Sequence, residues 1–360
     1  MDEVAYLDRL QLVAVDRPSA VSVTPDERFA PEGPRPTGEA LAWTSSVTAL
    51  QATDLKGRDV SAKLSALDRD TVDDFHRLDG WVGYAEEHGI VLDFGDRLAR
   101  FGAADPLVLA LAGWVEYPYS QTNFAASTAG FSLRPPVIER RNPDGTWALI
   151  EPHAGYPAGL PRMTTLDLTG RLTCPRCVLR IRTNMECYWD QAFVLLRDPA
   201  SESILGRKSL PVARAVLGHR GYTREVSPDG RQPLLYDYDH IDPAPLALMA
   251  GRLTRHGDVR TLLADDDDQL CLLGPGDEVR LEFEAGDLPP PPPGWTRSYT
   301  LKAVGYCKDA DPFTATSDRV DPLPWRGMPS FPFSIDQKRA ADPAYRSYLE
   351  QFQTRPAGVR

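Results

Sequence analysis

Two stretches concentrate the side chains best suited to chemistry. One is Trp114-Val115-Glu116-Tyr117-Pro118-Tyr119-Ser120-Gln121-Thr122-Asn123-Phe124, and the other is Asn184-Met185-Glu186-Cys187-Tyr188-Trp189-Asp190-Gln191. Flat rings beside amides and carboxylates suit a sugar or another small polar ligand. The rings cover apolar faces while the polar groups fix orientation. The ligand-binding candidates are therefore Trp114, Tyr117, Asn123, Asn184, Tyr188, Trp189, Asp190 and Gln191. The same residues also fit a structural role, with Trp114 and Trp189 plugging a sandwich core and the amides capping loop backbones. For an enzyme, the acid–base candidates are Glu116, Tyr117, His88 and Asp190. No GxSxG elbow, Walker loop or GxGxxG is present, so any catalytic site would have to be assembled from distant segments.

Metal chemistry has weaker support. Cys174-Pro175-Arg176-Cys177 has the spacing of half a zinc site, but no second pair lies near it, and a structural zinc takes four ligands. The pair precedes a strand pattern, whereas a thioredoxin-like site needs it at a helix N-terminus. A turn between strands accounts for it, whether the two thiols are bridged or, as is the default for so few cysteines, reduced. Histidines His76, His88, His153, His219, His240 and His256 form no HxH or HExxH pair. Asp237, Asp239 and Asp242 crowd His240, but they lack the Gly and distal Glu of an EF-hand loop. The run Asp265–Asp268 reads as a solvated turn that could hold calcium weakly. The expectation is no metal and no cofactor, with weak calcium binding as the alternative and a zinc or redox role for Cys174 and Cys177 as a minority reading.

The elements that would position these groups are mostly strands. In Val178-Leu179-Arg180-Ile181-Arg182-Thr183, Leu179 and Ile181 face one way and both arginines the other, the period-two pattern of a half-buried strand. Val279–Glu284 repeats it. Leu107–Ala112 is apolar throughout, as in a strand covered on both faces. Further strands are expected at Ile90–Phe94, Trp147–Glu151, Thr164–Leu168, Phe193–Leu196, Ala213–Leu217 and Tyr299–Val304. Asn142-Pro143-Asp144-Gly145 and Ser227-Pro228-Asp229-Gly230 carry the turn chemistry of hairpins. Helices are expected at Val60–Phe75, briefly after Asp258, and from Asp342-Pro343 to about Phe352, where an N-cap precedes Pro at the first helical position. Pro31–Thr37 and the five prolines within Leu288–Gly294 read as stiff connections. A break near Asp198–Leu210 separates two β units.

Bulk properties narrow the partners. A formal charge of −11, with arginines scattered among carboxylates, disfavours a nucleic-acid partner. No stretch approaches the roughly 18–20 apolar residues of a membrane helix. The acidic start Met1-Asp2-Glu3-Val4 lacks the features of a secretory signal, so the expected location is cytoplasmic, unless the chain is an excised part of an exported protein. Five cysteines are too few and too scattered for a disulfide framework. A protein partner along an exposed sheet edge is also open.

One family resemblance spans most of the chain. Gly113–Tyr117, Asn123–Ser127, Gly155–Pro161, Asp167–Gly170, Arg182–Asn184 and Tyr188–Gln191 carry its centre. Tyr6–Asp8, Ala14–Pro18 and Asp26–Phe29 resemble its opening. Arg255–Arg260, Gly276–Glu278, Gly294-Trp295, Lys308–Asp311 and Thr354–Pro356 resemble its close. In this order the segments resemble the C-terminal module of bacterial FG-GAP-repeat proteins of the cartilage-acidic-protein-like ASPIC/UnbV group, here without the repeat propeller. The resemblance implies a mostly β fold: a galactose-binding-like jelly-roll sandwich plus a second, smaller β unit and few short helices. The expected organisation is residues 1–85 packing on the sandwich, 86–200 as the sandwich, and 201–360 as a second β unit with a C-terminal helix. The expected function is binding of a small molecule or carbohydrate, accessory to bacterial natural-product assembly. The alternative is a cofactor-free cyclase or isomerase of secondary metabolism.

Overall fold

Alternating and continuous apolar runs become strands throughout the chain. The computed structural model describes residues 3–33, 35–242, 249–332 and 337–358. Pro34, inside the expected Pro31–Thr37 connection, lies outside the described residues. The fold is mostly β, and the described residues include four helices, each short. None of these is long and apolar enough to cross a membrane.

The chain divides into two compact units, residues 17–205 and residues 1–16 with 206–360. Strand β1 (Glu3–Pro18) thus belongs largely with the C-terminal half. The change of unit at Leu205/Gly206 falls inside the Ser- and charge-rich stretch Asp198–Leu210.

Residues 17–205 supply β2 (Ser22–Pro25), β3 (Ala40–Thr48), β4 (Gln51–Asp54), β5 (Tyr84–Gly95) and β6 (Leu107–Glu116). After helix α1 (Ser120–Thr128) come β7 (Val137–Arg141), β8 (Trp147–Glu151), β9 (Arg162–Asp167) and the 21-residue β10 (Cys177–Arg197). All their pairings are antiparallel. The first half of β10 lies between β5 and β7, extended by β4 and β8. Its second half lies between β6 and β3, extended by β9 and β2. One strand therefore serves two sheet halves, with register shifts between Thr183 and Met185 and between Trp189 and Gln191 where it crosses. Bulges of this kind bend and twist a strand enough to let it change sheets.

A single core fills the space between the halves. Leu92 and Phe94 of β5, Leu109 of β6, Ile138 of β7 and Leu179 and Val194 of β10 all lie in it. Leu107–Ala112 is apolar at every position because both faces are covered. Leu107, Leu109 and Leu111 face the main core, while Val108 and Ala110 join Leu41, Phe193 and Leu195 in a second cluster on the opposite face.

In the other unit, β1 pairs with Gly206–Leu210, Cys271–Leu273 and Trp295–Asp309. Val212–His219 pairs with Gly257–Asp258 and Asp277–Phe283. The helix Pro343–Phe352 begins as its sequence predicts: the Asp342 side chain accepts from Ala344 N at 2.9 Å. Tyr348 and Phe352 bury into a core containing Tyr6, Leu217 and Leu272.

Three expectations change. Val60–Phe75 is a series of turns, because side chains compete for the backbone groups a helix would use. Asp59 accepts from Ser61 N, Asp68 accepts from Asp70 N, and Arg69 takes φ +71°. Asp258 precedes a single 3₁₀ turn, Arg260–Leu263. The two aromatic–amide stretches are not loops: the first divides between the end of β6 and α1, and the second is the crossing segment of β10. Both Pro-Asp-Gly turns do join hairpins, β7–β8 and Tyr222–Val226 with Leu235–Asp242. Cys174 and Cys177 are disulfide-bonded, and Cys177 opens β10.

Candidate functional site

The crossing of β10 buries eight consecutive residues, Thr183–Asp190, several of them polar. A strand normally alternates its faces, so such a run requires cover on both sides. Asn184 provides part of it. Its Oδ1 accepts from Arg134 N at 2.7 Å and its Nδ2 donates to Ser132 O at 3.0 Å. Asp190, 5% exposed, accepts from the backbone N–H of Asp68 at 3.3 Å and Arg69 at 3.0 Å. Burial pushes its carboxyl up, and these two N–H groups pull it back only in part. Gln191 donates to Ser65 O at 3.3 Å. Trp189, 1% exposed, packs in the core. Among the described residues its indole N–H finds no acceptor. These four side chains hold the wrapping segments 65–69 and 132–134 or fill the core, and so act by positioning.

The other candidates form an aromatic row. Trp114 and Tyr188 are register partners with ring centroids 5.5 Å apart. Tyr188 meets Phe75 at 5.1 Å, and Phe75 stacks on His88 at 3.9 Å. Trp114 Nε1 donates to Gly159 O at 3.0 Å. Because His88 Nε2 lies 2.7 Å from the Met185 carbonyl, that nitrogen carries the proton. Burial depresses the imidazole to about 4, so His88 is neutral at pH 7 and a poor general base there. Glu116 lies directly opposite Glu186, a residue absent from the sequence candidates. The Tyr188 hydroxyl donates to Glu186, which is also 3.4 Å from Gly83 N. Burial, reinforced by Glu186, pushes the Tyr188 phenol up. Two candidates sit elsewhere. Asn123, on α1, accepts from the Tyr84 hydroxyl at 2.8 Å, and Tyr117 meets Tyr156 edge-on at 6.2 Å.

A cavity of about 430 Å³ opens beside Thr183, where β10 begins to cross. Pro31, Leu133, Pro135, Val137 and Pro152 make an apolar wall. The polar lining is Glu32, Glu87, Arg134, His153, Arg182 and Thr183. Glu87 Oε2 is shared by Arg134 Nη1 at 3.0 Å and Arg182 Nη1 at 2.9 Å. Arg182 is braced from behind by Glu139, which it meets at 2.9 and 3.3 Å and which also accepts from Arg180 at 2.6 Å. Burial acts to raise Glu139, yet the two guanidinium groups outweigh it and hold the carboxyl below its ordinary value. The hydrogen bonds that Arg182 donates to Glu139 in turn raise its own value. His153 Nδ1 is 3.1 Å from Glu32 Oε2.

The strap carrying Glu32 approaches closely because Gly33 has φ +76°, and a β-carbon there would sit 2.9 Å from His153 Cβ. Phe29 anchors the strap through paired backbone bonds with Tyr156 at 2.9 and 3.1 Å. Among the polar cavity residues, Arg182 had a strand signal, the polar face of an alternating strand, with Thr183 next to it on the opposite face. Glu87, Arg134 and His153 come from separate segments with no shared pattern. Among the described residues, no group of three His, Cys, Asp or Glu side chains is arranged to hold a metal ion. No family model matches the chain, and no curated protein matches it.

Proposed function

We propose that residues 17–205 bind a neutral, hydroxyl-rich small molecule, a carbohydrate or a polar metabolite of similar chemistry, in the cavity beside Thr183. One observation carries this reading: a single carboxylate, Glu87, is shared by two arginines. With Glu32 also in the lining, the cavity's two carboxylates match its two guanidinium groups, so an ionic ligand has no unmatched charge to neutralise. The two guanidinium groups together offer ten N–H donors, more than these contacts use, and the carboxylate still accepts. Vicinal hydroxyls, each both donor and acceptor, match such a fork. The proline-rich wall suits the C–H face of a ring. A volume of about 430 Å³ lies in the range of small-molecule sites. The finer identity of the fold as a galactose-binding-like jelly roll, with ASPIC/UnbV kinship and a place beside natural-product assembly, belongs to the same proposal and rests on the sequence resemblance.

Calorimetric titration with neutral mono- and oligosaccharides, against anionic sugars as controls, tests the reading. Saturable binding of a neutral sugar is expected, weakened about tenfold by Arg134→Ala, since a lost hydrogen bond to a charged group is worth about 1.5–3 kcal/mol. Tighter binding of the anionic controls, or indifference to Arg134→Ala, would refute it.

A second reading, a cofactor-free acid–base enzyme, draws on Glu116 facing Glu186 across β6 and β10. Paired carboxylates can divide acid and base roles when their environments differ. Turnover that survives Glu116→Gln and Glu186→Gln would eliminate it.

A further inference from the structure

We propose that the unit built from residues 1–16 and 206–360 contains a separate binding site for an organic ammonium ion. The site is a cavity of about 180 Å³ whose lining includes Tyr6, Asp8, Asp268, Tyr306, Trp325 and Arg326. Aromatic faces joined to carboxylates are the chemistry that recognises alkylated ammonium groups, because ring quadrupole and carboxylate both attract a weakly hydrated cation. Tyr6 and Tyr306 have ring centroids 5.9 Å apart at 57°, forming a corner and not a closed stack. The Tyr6 ring is fixed by its hydroxyl, which donates to Val320 O at 2.7 Å.

Asp8 is the decisive residue. It is 4% exposed and lines the cavity. Its Oδ1 accepts from the N–H groups of Asp267 at 3.2 Å and Asp268 at 2.9 Å. Among the described residues, no group hydrogen-bonds its Oδ2. Burying a carboxylate is costly unless charge or hydrogen bonds compensate, and Oδ2 is not sealed off, so a donor entering the cavity can reach it. Burial, aided by the neighbouring Asp268 and Asp267 carboxylates, pushes Asp8 above its ordinary value despite its two N–H bonds. A cation in the cavity removes that cost.

The cations nearby are already engaged. Arg326 pairs with Asp266. Arg339 donates to the carbonyls of Pro324 and Asp268 and covers the Tyr345 ring at 4.2 Å. Lys308 donates to the carbonyls of Arg319 and Val320. Asp8 and Asp268 thus have backbone N–H partners, Arg326 N serving Asp268 Oδ1 at 2.9 Å, but among the described residues no side-chain cation is bonded to either carboxylate. The Asp265–Asp268 run, which reads as a solvated turn in sequence, keeps Asp265 and Asp267 exposed, while Asp266 and Asp268 line this cavity.

The test uses the full chain with choline chloride and n-butylammonium chloride, read by calorimetry. The uncharged isostere 3,3-dimethyl-1-butanol and calcium chloride are the controls. Saturable binding of an ammonium probe is expected, with no binding of the isostere. Asp8→Asn keeps an oxygen for the two N–H groups and removes only the charge. It should weaken binding about tenfold, as should Trp325→Leu, which leaves Asp8 intact. Both variants are checked for folding by thermal melting, and either one suffices if the other fails to fold. Equal binding of the isostere, an affinity unchanged in the folded variants, calcium as the only ligand, or no binding of either ammonium probe would overturn the assignment.

Discussion

Replacing Glu139 by Gln probes whether the polar face of β10 is organised around one buried carboxylate. Glu139 is 6% exposed and receives three hydrogen bonds, from Arg180 Nε at 2.6 Å and from Arg182 Nε and Nη2 at 2.9 and 3.3 Å. Gln keeps one acceptor oxygen and turns an N–H₂ toward a guanidinium, so about two charge-assisted bonds are lost. Each is worth about 1.5–3 kcal/mol when shielded. The arginine side chains are 24% and 31% exposed, so solvent screening roughly halves the sum, to about 2 kcal/mol. The sign with pH follows from the lowered carboxyl. A carboxylate depressed in the folded state contributes its full stability above its unfolded value, about 4.3, and loses it as pH falls through the folded value. Urea unfolding at pH 7 should therefore show Glu139→Gln less stable by about 2 kcal/mol. The difference should shrink steadily below pH 4. A variant within about 0.5 kcal/mol of wild type at pH 7 would refute the organising role, as would a difference that does not change with pH.

Gly113→Ala should destabilise residues 17–205 by about 3 kcal/mol or more in the same assay, because its β-carbon would lie 2.3 Å from the Tyr188 carbonyl and force β6 from β10. Trp189→Phe should cost under about 1.5 kcal/mol despite full burial, since losing an indole N–H that has no acceptor among the described residues offsets part of the lost packing. Histidine NMR titration should find His88 neutral down to about pH 4. With a folded value below the unfolded one, its contribution to stability should fall as pH drops from about 6.5 toward 4, and His88→Phe should flatten that slope.

Much of the fold is legible in the residues themselves. Alternation placed Val178–Thr183, Pro-Asp-Gly placed two hairpins, and Asp342-Pro343 placed the last helix, because each signal acts between near neighbours in the chain. Short strand patterns broken by frequent turn signals likewise marked the chain as mostly β. The misread segments are those whose state depends on distant partners. Asn184–Gln191 carries loop-like polar residues, yet it is strand because β6 supplies hydrogen bonds and the segments 65–69 and 132–134 cover its polar groups. Val60–Phe75 has loosely helical spacing, but Asp–Ser and Asp–Asp side-chain bonds turn it instead. The aromatic–amide palette was visible in advance, whereas its division of labour was not: Asn184, Asp190 and Trp189 support structure, and Glu186 joins Tyr188.

The sequence by itself determined the strand-forming segments, their turns and the acidic balance of the surface, since local sterics, period-two burial and summed charge require no knowledge of partners. Tertiary structure alone decided that one strand serves two sheet halves. It also gathered Glu87, Arg134 and Arg182 from three segments around one cavity and, among the described residues, left one oxygen of Asp8 without a hydrogen-bond partner. Those outcomes depend on long-range pairing, where register sets which side chains meet, and nothing in the local pattern of a segment specifies its register against a strand a hundred residues away.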